Sequence, residues 1–266
     1  MLQVAILAGG LGTRLGPMTE RLPKSLVEVA GRPFIDWQLD LLASQGVKRV
    51  TVCAGHLAGS LRSHLGGGSR SGLELVWVDE GESRLGTAGA LRLALDRGAL
   101  DKAFFVLFGD SYLEAPMAPV ELAWRRSGLP ALMTVYRNQD RLAPSNAIYS
   151  GARITAYDKA RPMNLRAAME WIDYGLSILT AEELRRRVAG GSADLAAVMR
   201  ELSRGGQLAG FEVAERFYEV GSREGIAELE GHLASRYPHS SDEPAATARN
   251  PRRGRQRLVP RPPERP

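Results

Sequence analysis

Gly9, Gly10 and Gly12 stand within four residues of one another and lead directly into Thr13 and Arg14, with Lys24 further on behind Pro23. Lacking side chains, this backbone can take positive φ and come close to a ligand while its N–H groups point at it. Phosphate oxygens suit such a cradle, and a hydroxyl, a planar guanidinium and an ammonium aimed back at the loop add donors and charge. The stretch reads as a triphosphate site. Two better-known phosphate signatures fail: no stretch supplies G-x-x-x-x-G-K-[ST], and in G-x-G-x-x-G Leu15 occupies the place of the third glycine. A second chemical anchor is Asp110, which follows the apolar run AFFVLF and Gly109. This puts a carboxylate at the carboxyl end of a strand, where Mg²⁺ bound to phosphates would sit.

The elements that must position these groups can be read from periodicity. Residues 2–8 are a short apolar run with β-branched Val4 and Ile6, a buried strand ending where Gly9 begins. Helix-type patterns cover 33–46, 56–65 and 88–95, strand-type runs cover 49–54, 73–78 and 103–108, and 66–72 reads as a flexible glycine-rich turn. This βαβαβ rhythm predicts a parallel sheet covered on both faces, with ligands at the carboxyl ends of its strands. The second half is less regular. Strands are expected at 131–137, 153–157, 170–179 and 208–213, some of them antiparallel. Thr180 and Glu183 form a capping box, Asp194 caps another helix, and the last helix covers about 224–235. The run Arg185 to Arg187 reads as a solvated helix face.

Composition excludes several classes. The chain has 266 residues, 44% hydrophobic and 24% charged, enough for one large α/β domain, and no apolar run approaches a membrane span. The single cysteine, Cys53, excludes an internal disulfide and reads as a small core residue. The pI of 9.6 does not signal nucleic-acid binding. Seven arginines and three acids give residues 238–266 a net charge of +4, out of +5 for the whole chain. That tail is rich in arginine and proline, poor in large apolar residues, and expected to be disordered, leaving 1–237 as the folded domain. Met1 leads into the first strand without a secretory pattern, so a cytoplasmic location is expected.

The full motif G-G-x-G-T-R-L-x-P-x-T-x-x-x-P-K, met by Gly9 to Lys24 and continued by Leu26, Gly31, Arg32 and Pro33, resembles the signature of the sugar-1-phosphate nucleotidylyltransferases. The N-terminal stretch is most similar to heptose 1-phosphate and mannose-type guanylyltransferases and related aminosugar enzymes. The resemblance implies a Rossmann-like nucleotidyltransferase fold with a mixed, mainly parallel sheet. It also implies a reaction joining a nucleoside triphosphate to a sugar 1-phosphate with release of pyrophosphate, GTP or UTP being the first expectations. It places the nucleotide on Leu7, Ala8, Gly9, Gly10, Gly12 and Thr13, with Gly86 and Thr87 of the LGTAGAL stretch. Arg14 and Lys24 become the catalytic cations.

The resemblance further implies that Asp110 is a Mg²⁺ ligand, and that Asn146, Lys159, Glu170, Asp173 and Gly175 surround the sugar phosphate. The second metal ligand of the family, an aspartate, is replaced by Glu219, whose extra methylene moves the carboxyl by roughly 1.5 Å for an ion demanding distances of about 2.0–2.1 Å. Asp79, Glu80 and Glu82 compete as the acid before the LGTAGAL stretch. Two rivals remain: a phosphocholine-type cytidylyltransferase with Trp171 and Tyr174 as an aromatic cage, and a sugar-nucleotide-binding regulator without turnover.

Overall fold

In the computed structural model the described residues are 1–10, 16, 22–66, 68–81 and 83–237. Gly12, Thr13 and Arg14, Glu82 and the 238–266 tail lie outside them.

The first apolar run forms β1 (Val4–Ala8). A single 3₁₀ turn (Lys24–Leu26) and the small ribbon β2 (Glu28–Val29) and β3 (Arg32–Pro33) lead into α1 (Phe34–Ser44), with Pro33 at its N-cap. Strand and helix then alternate through β4 (Arg49–Ala54), α2 (Ala58–Leu65), β5 (Gly68–Arg70), β6 (Leu73–Asp79), α3 (Gly86–Asp96) and β7 (Ala103–Phe108). Next come β8 (Ser111–Tyr112), α4 (Met117–Ser127), β9 (Ala131–Arg137), β10 (Ala147–Ser150), β11 (Arg153–Tyr157) and α5 (Met163–Arg166). The chain continues with β12 (Trp171–Thr180), α6 (Ala181–Arg187), α7 (Leu195–Arg204), β13 (Leu208–Val213), β14 (Tyr218–Glu219) and α8 (Arg223–Arg236).

Ten strands form one sheet in the order β10-β11-β13-β9-β12-β7-β1-β4-β6-β5. Strands β7, β1, β4 and β6 run parallel, while β12 enters antiparallel between β7 and β9. The chain moves outward from β1 to β4 and β6 and then returns to the other side of β1 as β7. The crevice beyond the carboxyl ends of β1 and β7 is therefore the switch point at which such sheets bind ligands.

Alternation along the central strands gives the sheet two apolar faces. Val4, Ile6, Phe105 and Leu107 pack with α1, α2 and α4, whereas Ala5, Phe104 and Val106 pack with α3, α6 and α7. A third, smaller core lies under α8, where Leu229 and Leu233 meet Trp37, Tyr112 and Val220.

Three expectations need correction. Residues 66–72 are not only a turn: β5 pairs antiparallel with β6 across Ser71 and Gly72, both at positive φ, the geometry of a tight two-residue hairpin. Helix α4 and strand β10 were not legible as elements. The arginine run is not uniformly solvated, because Arg187 is largely covered and bonds Glu183, Glu201 and Gln207, while Arg185 and Arg186 are exposed. The caps form as read, with Thr180 accepting the Glu183 N–H and Asp194 the Ala196 N–H. Glu183 turns instead to Arg186 and Arg187. No helix among the described residues is long and apolar enough to cross a membrane.

Candidate active site

At the switch point Gly109 donates its N–H to the Leu7 carbonyl at 2.9 Å. A Cβ at residue 109 would itself lie 2.9 Å from that oxygen, so the close approach of the two strand ends requires glycine. The turn this creates presents Asp110. Buried Gln38 of α1 braces the turn from behind, donating both amide hydrogens, to Phe108 O at 2.9 Å and Ser111 O at 2.8 Å. Across the floor, Lys24 Nζ lies 2.6 Å from Asp110 Oδ2, with the two side chains only 12% and 29% exposed.

A cavity of about 460 Å³ opens above this pair, lined by Leu7, Ala8, Gly9, Gly10, Gly86 and Thr87 among others. Every expected nucleotide residue within the described set thus reaches one cavity, together with Lys24 and Asp110. Of the competing acids, Asp79 and Glu80 lie within the described residues, and they part company. Asp79 turns back to accept the Gly81 N–H at 2.8 Å. Glu80 enters the cavity beside Gly9, where a Cβ would meet its Oε1 at 2.7 Å. Burial raises the Glu80 carboxyl above its ordinary range, a hydrogen bond from the Leu85 backbone opposes this, and the nearby Asp79 charge adds to it.

The glycines of the LGTAGAL stretch serve a purpose the sequence did not disclose. Gly86, at φ +69°, faces the Ala193 carbonyl, which a Cβ would approach to 2.6 Å, and Gly89 faces the Gly191 carbonyl, which a Cβ there would approach to 2.5 Å. Thr87 Oγ1 donates to Asp194 at 2.9 Å and accepts the Leu195 N–H at 2.7 Å. The start of α3 is thereby packed directly against the segment leading into α7.

The residues expected around the sugar phosphate separate. Lys159 lies with its ammonium 6.0 Å from the ring centroid of Phe108, a residue that lines the cavity. Gly175, at φ +99°, faces Leu113, Ser111 and Phe108 and so borders the Asp110 turn. Asp173 is not free to present its carboxylate: Oδ1 accepts the Gly175 N–H at 3.0 Å and Oδ2 the Tyr157 hydroxyl at 3.1 Å, fixing the bulge in β12. Burial raises its carboxyl, and the Lys159 charge and these bonds pull it back. Asn146 Oδ1 accepts the Asp173 N–H at 2.9 Å. Glu170 stands apart from the main cavity, paired with Arg137 at 3.0 Å on the rim of a shallow second depression. Trp171 and Tyr174 join opposite faces of the sheet, Trp171 with Tyr149 and Tyr174 with Phe217. They do not form one cage, which removes the support for a quaternary-ammonium site.

The two expected metal ligands are joined through the backbone. Strand β14 pairs with β8, setting Glu219 opposite Ser111, and the Val220 N–H donates to the Asp110 carbonyl at 2.8 Å. Two carboxylates on adjoining strand ends are hard oxygen donors, and the ammonium already seated on Asp110 shows that the position accepts a cation. The donor set fits a divalent ion that takes its remaining ligands from phosphates and water; among the described residues no group of three metal-ligating side chains converges. Sequence reasoning missed Gln38, Glu80 as the acid of choice, and Gly55, His56, Arg84 and Phe108, which also line the cavity. Only Glu80 gave a signal, as one of three acids before a glycine motif.

The architecture is that of the α/β nucleotidyltransferases. HddC from Yersinia pseudotuberculosis complexed with GMP-PN superposes with a TM-score of 0.72 at 22% identity, covering 88% of this chain and all of that one. The chain belongs to the nucleotidyl transferase family, whose sequence model matches residues 3–143, just over half its length. It is 26% identical over 207 residues to UTP–glucose-1-phosphate uridylyltransferase of Synechocystis sp., covering 73% of this chain and 53% of the relative. It is 34% identical over 137 residues to the mannose-1-phosphate guanylyltransferase catalytic subunit beta of Drosophila pseudoobscura pseudoobscura, covering 51% and 37%. The chain thus spans about half or less of the length of these curated relatives.

Proposed function

We propose that the protein is a sugar-1-phosphate nucleotidylyltransferase, forming an NDP-sugar and pyrophosphate with a divalent ion, Mg²⁺, as cofactor. The carrying observation is the Lys24–Asp110 pair beneath a glycine-lined cavity at the sheet's switch point. A phosphate oxygen of the sugar 1-phosphate attacks the α-phosphorus in line; the new P–O bond forms as the α–β bridge bond breaks, and its electron pair leaves with pyrophosphate. The attacking oxygen is already ionised, so no general base is needed, and the protein's task is alignment and charge neutralisation. The Gly9–Gly10 backbone and Arg14 hold the leaving phosphates, while Lys24 and Lys159 face the reacting ones. Asp110 and Glu219 hold the Mg²⁺, which when bound neutralises phosphate charge.

Glu80 favours guanine as the base. A carboxylate accepts two adjacent N–H donors, and only guanine offers them side by side on one edge, N1–H and N2–H₂; uracil sets its single N3–H between two carbonyl oxygens that a carboxylate repels. The GMP-PN complex of the HddC structure agrees with that reading. The test is pyrophosphate release over a grid of five nucleoside triphosphates and a panel of sugar 1-phosphates. Turnover with GTP and one sugar phosphate is expected. Turnover with UTP alone overturns the base assignment, and binding without turnover anywhere in the grid favours a regulatory protein.

A further inference from the structure

The short strand carrying Glu219, β14, is two residues long and among the described residues pairs with β8. Its side chains explain why it is nonetheless fixed. The Tyr218 ring stacks on His232 of α8 with centroids 4.5 Å apart and 24° between planes. The Arg216 guanidinium lies over the same ring at 4.6 Å. Both groups are anchored to or through α8. His232 Nε2 bonds Glu114 at 3.0 Å, a carboxylate that also meets Arg236, and Arg216 Nη2 bonds Glu228 at 2.6 Å. Opposite Tyr218 in the ribbon stands Tyr112, whose buried ring meets His232 edge-on at 6.3 Å. On the backbone side Gly225, in the first turn of α8, lies so close to the Glu219 carbonyl that a Cβ could not be placed there.

We propose that Tyr218 is a positioning residue, through which α8 holds Glu219 beside Asp110 so that the two carboxylates can share one divalent ion. The inference rests on the metal role given to Glu219 under the proposed function. Without such contacts a two-residue ribbon could shift the backbone that carries Glu219 by more than the tolerance of a Mg²⁺ site, and the double contact on Tyr218 restrains that backbone. The helix is thus part of the metal site without supplying a ligand.

The experiment is Mn²⁺ binding followed by electron paramagnetic resonance, in the presence of the α,β-methylene analogue of whichever triphosphate the turnover grid selects. Tyr218→Ala is expected to weaken Mn²⁺ binding about tenfold, with the analogue's own affinity in the absence of metal unchanged. Tyr218→Phe, which keeps the ring contacts, is expected to stay within about twofold of the wild type. Glu219→Ala is the control for the underlying reading. If Glu219→Ala weakens Mn²⁺ binding and Tyr218→Ala does not, the clamp is wrong. If Glu219→Ala leaves binding unchanged, the metal role of Glu219 fails and the clamp with it. Should Tyr218→Ala fail to fold, Arg216→Ala removes one contact alone and is expected to weaken binding about threefold; wild-type binding by that variant would overturn the proposal.

Discussion

Lys24 and Asp110, separated by 86 residues in sequence, hold each other at 2.6 Å. The cation expected on the phosphates and the carboxylate expected on the metal pair with one another. Incoming phosphates and a divalent ion must divide this pair between them, each taking the partner of its own opposite charge.

Lys24→Met is therefore expected to lower kcat/KM by about 10² or more, since an ammonium on a reacting phosphate acts mainly in the transition state. Pyrophosphate release under saturating and limiting triphosphate separates the terms. An effect confined to KM would reduce Lys24 to a ground-state binder.

Glu80→Gln tests the base assignment and carries a pH signature. Relative to the wild type, the variant is expected to lose about tenfold in kcat/KM for GTP over UTP, the scale of one charged pairing across a base edge. The raised carboxyl of the wild type means that folding favours its protonated form. Its contribution to stability is fully present below the unfolded value near 4.5 and is lost as pH rises through the higher folded value. Melting temperatures of wild type and Glu80→Gln should thus diverge in favour of the variant as pH rises from 4 to 7. Parallel curves would contradict the burial of this carboxylate.

The carboxylate pair is tested by Asp110→Ala and Glu219→Ala, each of which is expected to raise the Mg²⁺ requirement, with the double variant losing less than the sum of the two. Glu219→Asp is the sharper variant: a side chain about 1.5 Å shorter should lower activity and recover partly with the more tolerant Mn²⁺. Wild-type rates for Glu219→Ala at limiting Mg²⁺ would leave Asp110 as the sole protein ligand.

Gln38→Leu keeps the volume roughly constant but removes the two bonds bracing the Asp110 turn. One buried and one partly buried carbonyl left with less satisfaction are expected to cost about 1–3 kcal/mol, read by denaturant titration, with a fall in kcat larger than in the binding of triphosphate. An unchanged kcat would show that Gly109 alone sets the turn.

Cys53 sits in β4 with no exposed surface, and burial first, then the Glu80 charge, push its thiol up to about 12. At pH 8 its thiolate share is on the order of 10⁻⁴. Iodoacetamide should leave the native protein unlabelled and modify it once denatured. Labelling under native conditions would reveal opening of the sheet.

Much of this molecule was legible where an apolar run is bounded by glycine or proline. β4, β7, β9, β11 and β13 have the bounds their residues suggest; in β4, β7 and β9 burial on both faces leaves a continuous apolar signal. What was hidden was hidden for tertiary reasons. The backbone of β5 is ordered by its neighbour rather than by its own glycine-rich residues. The prolines around the start of α4 mask its pattern, although Pro119 falls in its first turn, where proline is tolerated. In the site, the glycine cradle, Lys24 and Asp110 announce themselves by type and spacing. Gln38 looks like one polar residue on an apolar helix, and the commitment of Asp173 to Tyr157 and Gly175 is visible only once β11 and β12 are folded.

The packing of Gly86, Thr87 and Gly89 against residues 191–195 also bears on modularity. The family match ends at residue 143, yet the helix forming one cavity wall is seated on a segment beyond that point, and β12 inserts directly beside β7, the strand that leads into the Asp110 turn. The matched region is therefore not a transplantable cassette. Grafted alone into another chain, residues 1–143 would carry the signature residues but bare the glycine face of α3 and one edge of β7.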